Sequence, residues 1–358
     1  MTTPPAPPSS TVPTAAVEPE GDFSAVVGLV DDAVAAPRMP GAVVQIGHAG
    51  KIVFRQAFGA RKLAGEPGLD GSPTPAEPMT EDTLFDLASL TKSLATATAV
   101  LQLAEQGRVA IDAPLQTYLP DFNPANDPRR AQVTLRMLLT HTSGLAGDLA
   151  MSGPWGLDRA DKAEGIRRAL GTPLAFDPGA VFHYSDIGFI LLGATVETIT
   201  GETEDVYVAR NIFEPLGMVD TRYLPAAKAC GPHKIIGTAI AFDPTAPRVT
   251  DCPAGTWSTD LLTRIAPTAR DEDTPDLNPN IDHLLRGTVH DPTARRMGGV
   301  AGSAGLFSTV RDLGLFAQAL ATLAEPADLT GFGKPFAALG LAEVIRAHGG
   351  RADVLGHS

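Results

Sequence analysis

TLFDLASLTK, residues 83–92, leads into a long helical pattern. Over residues 89–106, Leu90, Leu94, Ala97, Leu101 and Ala104 form one apolar stripe, and Gly107 can supply the left-handed cap that ends it. Ser89 falls in the first turn, where the helix dipole and the free amides favour a developing oxyanion. Lys92 follows at i+3, so its amine shares the face of the serine. Far downstream, Tyr184, Ser185 and Asp186 stand just before another helical pattern. A serine with a lysine one turn behind it, together with a separate tyrosine, is the chemistry of covalent acyl transfer without a histidine.

Upstream, residues 23–35 (FSAVVGLVDDAVA) carry apolar positions at helical spacing, and Pro37 and Pro40 stop them. Two β-rich runs, 42–46 and 52–58, flank Gly47, His48, Ala49 and Gly50, which predicts a hairpin. Residues 66–78 read as loop, because Gly and Pro recur and no period survives. Downstream, Thr134 can cap a short helix, LRMLLTH, that Gly144 ends. Residues 186–200 form a third helix closed by Gly201, and 206–213 a fourth before Pro215. Residues 267–282, polar and Pro-containing, read as a mobile excursion. Thr309 and Asp312 start a last helix over 310–324. No internal repeat is present.

The chain of 358 residues can bury one large core or two lobes, and 44% hydrophobic with 19% charged residues is an ordinary globular composition. A formal charge of −13 without any Lys/Arg-rich run argues against nucleic acid or an anionic membrane as partner and favours a small-molecule substrate. Cys230 and Cys252 read as two ordinary thiols, with neither a disulfide framework nor a cysteine-ligated metal indicated. Residues 1–21 read as a disordered Pro-rich tail, having no basic n-region and no apolar h-region. No stretch is apolar for the length a bilayer requires. The expected compartment is therefore the cytoplasm.

The run 83–92, followed by Gly107 and LQTYLP at 115–120, resembles the serine β-lactamase and penicillin-binding protein-like superfamily, in its class C branch. That branch includes D-alanyl-D-alanine carboxypeptidases and related serine esterases. LLTHTSGL (138–145), HYSDIGFILLG (183–193), IFEPLGM (212–218) and VHDPTARRMGGVAGSAGLFST (289–309) resemble the family in the same order. The resemblance implies an α+β fold in which an antiparallel sheet lobe packs against an all-helical lobe at roughly 80–220, within a single domain over 22–358. It does not suggest a doubly wound parallel sheet. It also implies Ser89 as acylated nucleophile, Lys92 as its proton partner and Tyr184 as general base, without metal or organic cofactor. Asp186 stands where many members carry Asn and is expected to contact substrate. Beside Lys92 it would favour an ammonium, shifting the base role onto Tyr184.

His141 and His183 read as residues that satisfy backbone groups or pack at helix termini, and His290 beside Asp291 reads the same way. Ser303, in AGSAG at 301–305, mimics a nucleophile elbow, but an α/β-hydrolase needs alternating strands and helices that this chain lacks. The family usually has a histidine where Ser303 stands. Its third motif, K-T-G or H-x-G on a strand, is missing. Lys334 precedes Pro335, and the chain ends at Gly356-His357-Ser358, so that His357 is only a candidate substrate-binding residue. The expectation is a sheet lacking its final strands and helix. The activity expected is hydrolysis of an ester or amide, a small ester ahead of a β-lactam because the cytoplasm offers no peptidoglycan. The rival is a catalytically silent ligand-binding or scaffold member.

Overall fold

The computed structural model describes residues 21–324 other than Pro37, Arg248 and Thr250. The Pro-rich tail up to residue 20 and the candidate His357 lie outside the described residues.

Strands Gly41–His48 and Lys51–Lys62 pair antiparallel, with Gly41 opposite Gly59 and His48 opposite Lys51. Ala49 and Gly50 make the reversal at φ 47° and 77°, the left-handed backbone that a two-residue hairpin turn needs. The hairpin is longer than its apolar runs because the ladder continues past Gly59 to a third short strand, Glu77–Pro78. The loop between is organised from inside. Lys62 is buried, and its Nζ donates to the carbonyls of Leu63, Glu66, Thr74 and Pro75 at 2.9–3.4 Å. A buried ammonium has to be compensated, and here the turning backbone does so. Helix Ser24–Ala35 precedes the hairpin, with the Phe23 ring 5.0 Å from that of Phe54. Helix Val310–Ala324 meets it where Gln45 Nε2 donates to the Val310 carbonyl at 3.3 Å.

The second layer is helical. Its centre is Asp186–Thr200, in which every residue from Ile187 to Val196 is buried, as expected of a helix that is apolar all round. Ser185 caps its start by accepting from Gly188 N, and Gly201 closes it at φ 75°. Around it pack Leu135–Leu139, capped by Thr134, and the helix that follows the 83–92 motif. That helix is π-helical over Lys92–Ala97 and α-helical over Thr98–Glu105, where a plain α-helix was expected. The wider winding carries the buried Lys92 and Thr96 to adjoining carbonyls, as described below. The expected helix at 206–213 likewise divides into Glu204–Val208 and a π-helical Ala209–Phe213.

Three short strands join the layers: Phe85–Asp86 and Arg222–Tyr223 flank Leu306–Ser308, all antiparallel. A smaller core of Leu84, Leu224, Ile240, Trp257, Leu262, Ile265 and Phe307 lies beside them.

Two expectations are overturned. Cys230 and Cys252 are not thiols but a disulfide with Cα atoms 5.8 Å apart. The parallel pairing of Ala229–Cys230 with Trp257–Ser258 draws the two ends of that loop together, which spacing in the sequence does not reveal. Residues 267–282 are not a loose excursion. Asp271, fully buried, pairs with Arg295 at 2.6 Å, and Asp273 takes the fully buried Arg296 at 2.7 Å. Polarity there reflects a buried ion-pair network rather than solvation. Among the described residues, no helix is long and apolar enough to cross a membrane.

Candidate active site

Ser89 lies exposed at a turn held in tension. Ala88 before it adopts φ 45°, uncommon for a residue with a side chain, and its amide is fixed by Asp86 Oδ1 at 2.9 Å. The other Asp86 oxygen accepts from His290 N at 2.7 Å, tying the turn to the segment before Pro292. Burial pushes the Asp86 carboxyl up, against the pull of these two amides. Asp86 was not singled out from the sequence. Its signal was available, as an acidic residue three positions before the serine at a turn.

Lys92 is 2% exposed, and its Nζ lies 2.9 Å from Ser89 Oγ, 2.9 Å from the Ser303 carbonyl and 2.6 Å from Asp186 Oδ1. The ammonium donates to Ser89 Oγ and the Ser303 carbonyl, and Asp186 faces it as the partner of an ion pair. Tyr184 presents its ring 4.9 Å from the same nitrogen and stays partly exposed. The four residues singled out from the sequence, Ser89, Lys92, Tyr184 and Asp186, therefore converge from two helix starts.

A second row of contacts supports them. Thr91 Oγ1 accepts from Leu306 N at 3.1 Å, while Thr96 Oγ1 reaches the Gly302 carbonyl at 2.8 Å. One face of the helix thus grips residues 302–306. Gly302 is required there, since a Cβ would sit 2.1 Å from the Phe189 carbonyl. Ser303 contributes its carbonyl; its own Oγ is fully buried without a partner among the described residues, which removes it as a nucleophile.

The histidines behave as read. His141 Nδ1 accepts from Ser185 N at 3.0 Å, and the His183 ring lies 5.1 Å from that of Phe176. Asp291 caps helix Pro292–Arg296 by accepting from Ala294 N, and His290 beside it is exposed. Burial, reinforced by the charge on Lys92, pulls the His141 imidazole down to about 4.

Residues 26–349 match the family described as Beta-lactamase. A putative D-alanyl-D-alanine carboxypeptidase of Escherichia coli (strain K12) is 34% identical over 281 residues, covering 75% of this chain and 57% of that protein. Esterase EstB of Burkholderia gladioli is 39% identical over 209 residues, covering 55% of this chain and 50% of its own length. The chain thus spans between half and three fifths of these curated relatives. Among solved structures, a class C beta lactamase from Rhodobacter sphaeroides superposes with a TM-score of 0.57 at 20% identity, over 88% of this chain and 69% of that one. Its fold is the α+β, sheet-against-helices arrangement described above.

Proposed function

The chain belongs to the beta-lactamase family, and from that premise we propose that it is a serine hydrolase that cleaves a small ester through an acyl-Ser89 intermediate. The observation that carries this reading is the buried Lys92 Nζ at 2.9 Å from Ser89 Oγ, itself pinned by Asp186 and the Ser303 carbonyl.

Hydrogen-bonded to Ser89 Oγ and the Ser303 carbonyl and ion-paired with Asp186, the ammonium orients Ser89 and stabilises the alkoxide as it forms. Tyr184, whose ring lies 4.9 Å from the same ammonium, acts as the general base that takes the serine proton. Ser89 Oγ bonds to the substrate carbonyl carbon, and the developing oxyanion meets the Ser89 amide, which has no acceptor among the described residues. As the tetrahedral intermediate collapses, the ester C–O bond breaks and Tyr184 returns the proton to the leaving alcohol. Water then attacks the acyl carbon and gives its proton to Tyr184; the bond from that carbon to Ser89 Oγ breaks, and Tyr184 returns the proton to the departing serine oxygen, releasing the acid and free Ser89.

An ester is favoured over an amide by the 39% identity to an esterase and by the apolar character of the exposed side chains Leu90 and Phe182 beside Ser89 and Tyr184. Incubation with a fluorophosphonate followed by peptide mapping tests the proposal. Adduct on Ser89, absent in Ser89→Ala, supports it, together with release of p-nitrophenol from p-nitrophenyl acetate. A folded chain that neither labels nor hydrolyses would instead be a silent binding member of the family.

A further inference from the structure

The mechanism leaves His141 without a task, yet the structure spends free energy to keep it in place. Its backbone is left-handed at φ 55°, and its side chain is 1% exposed. Because Nδ1 accepts a hydrogen bond, the neutral ring carries its proton on Nε2, which is buried with no partner among the described residues. An apolar residue filling the same space would avoid that orphaned donor.

What this histidine touches explains its retention. Its carbonyl accepts from His183 N at 2.7 Å and its Nδ1 from Ser185 N at 3.0 Å, the two amides that bracket Tyr184. Between them its ring stacks on that of Tyr184, with centroids 4.4 Å apart and an interplanar angle of 27°. Phe189 at 5.2 Å and Phe182 at 5.8 Å hold the imidazole from other sides. Asparagine could accept from Ser185 N but offers no ring, and phenylalanine offers a ring but no acceptor. Histidine does both.

We propose that His141 is a positioning residue that clamps Tyr184 by backbone and ring together, setting the phenol against Lys92. The consequence for turnover rests on the acyl-serine reading; the clamp itself does not.

The test uses the full chain labelled with 3-fluorotyrosine, the Tyr184 resonance being identified by its loss in Tyr184→Phe. His141→Asn keeps the acceptor and tolerates the left-handed backbone, so it stays folded where His141→Ala could fail. The fluorine resonance of Tyr184 is expected to move and narrow in His141→Asn. Turnover of p-nitrophenyl acetate per fluorophosphonate-titrated site should fall roughly 10- to 100-fold, with KM within about twofold of the parent. An unmoved fluorine resonance, or turnover per titrated site within about twofold of the parent, would overturn the clamp. A parent chain inert to both reagents would sink the hydrolase reading, and the fluorine spectrum alone would then decide the clamp.

Discussion

Glu204 Oε1 lies 2.6 Å from Thr96 Oγ1, whose hydroxyl also reaches the Gly302 carbonyl at 2.8 Å. The threonine has one proton and the carbonyl none. That one proton is shared between the Glu204 carboxyl and the Gly302 carbonyl, both of which accept from Thr96. Burial pushes the Glu204 carboxyl up to about 7, so that it keeps its own proton further up the pH scale, although the hydrogen bond from Thr96 pulls the other way.

Stability should follow that proton. A carboxyl raised from 4.5 to about 7 binds more proton in the folded chain, so its stabilisation is complete below pH 4.5 and is lost as pH rises through 7. The full span is on the order of 3 kcal/mol. Urea midpoints at pH 5 and pH 8 should diverge in the parent chain and by much less in Glu204→Gln. Equal divergence in both would show that the glutamate is not the group titrating.

Removing the phenol while leaving the ring separates Tyr184 from its neighbours. Tyr184→Phe should lower acylation by about 10²–10⁴-fold without loss of fold, the usual weight of a general base. Asp186→Asn, which removes the charge beside Lys92 but not the shape, should displace the pH dependence of acylation. Stopped-flow acylation across pH would reveal both, and a fully active Tyr184→Phe chain would refute the assignment.

The Cys230–Cys252 bridge closes a loop with a sequence separation of 22 that contains the hairpin His233–Ile236 and Ala239–Phe242. Loop-closure entropy puts its contribution at about 3 kcal/mol. Dithiothreitol should therefore lower the melting temperature and raise amide exchange first within that hairpin. An unchanged melt after confirmed reduction would contradict it.

Arg296 anchors residues 273–274 through two hydrogen bonds to Asp273 and one to Thr274, and is fully buried. Asp273→Ala leaves that guanidinium without its counterion and should cost about 3–5 kcal/mol. Limited proteolysis should leave residues 267–282 intact in the parent and cut them in the variant.

These outcomes also mark where the sequence was legible. Helix 186–200 could be read to the residue because Ser185 and Gly201 are local signals, whereas the hairpin was legible only as runs 42–46 and 52–58, shorter than the strands Gly41–His48 and Lys51–Lys62 that form it. Ser89, Lys92 and Tyr184 were found through spacing and family resemblance. What escaped depends on distant partners. Leu306–Ser308 is a strand only because Phe85–Asp86 and Arg222–Tyr223 lie beside it, and none of the three is long enough to show an alternation. Arg296 and Asp273 look solvated until the fold buries them, and Glu204 reads as a surface glutamate at a helix start. His141 was read as a packing residue, and only coordinates reveal that it brackets the tyrosine.

The 211-residue separation between Lys92 and the Ser303 carbonyl it binds sets an order on synthesis. Translation delivers Ser89 and Lys92 early, but the carbonyl that seats the lysine emerges 211 residues later. Contacts of such range form late and slowly. A nascent chain arrested short of residue 302 therefore carries Ser89 and Lys92 without the carbonyl that seats the lysine.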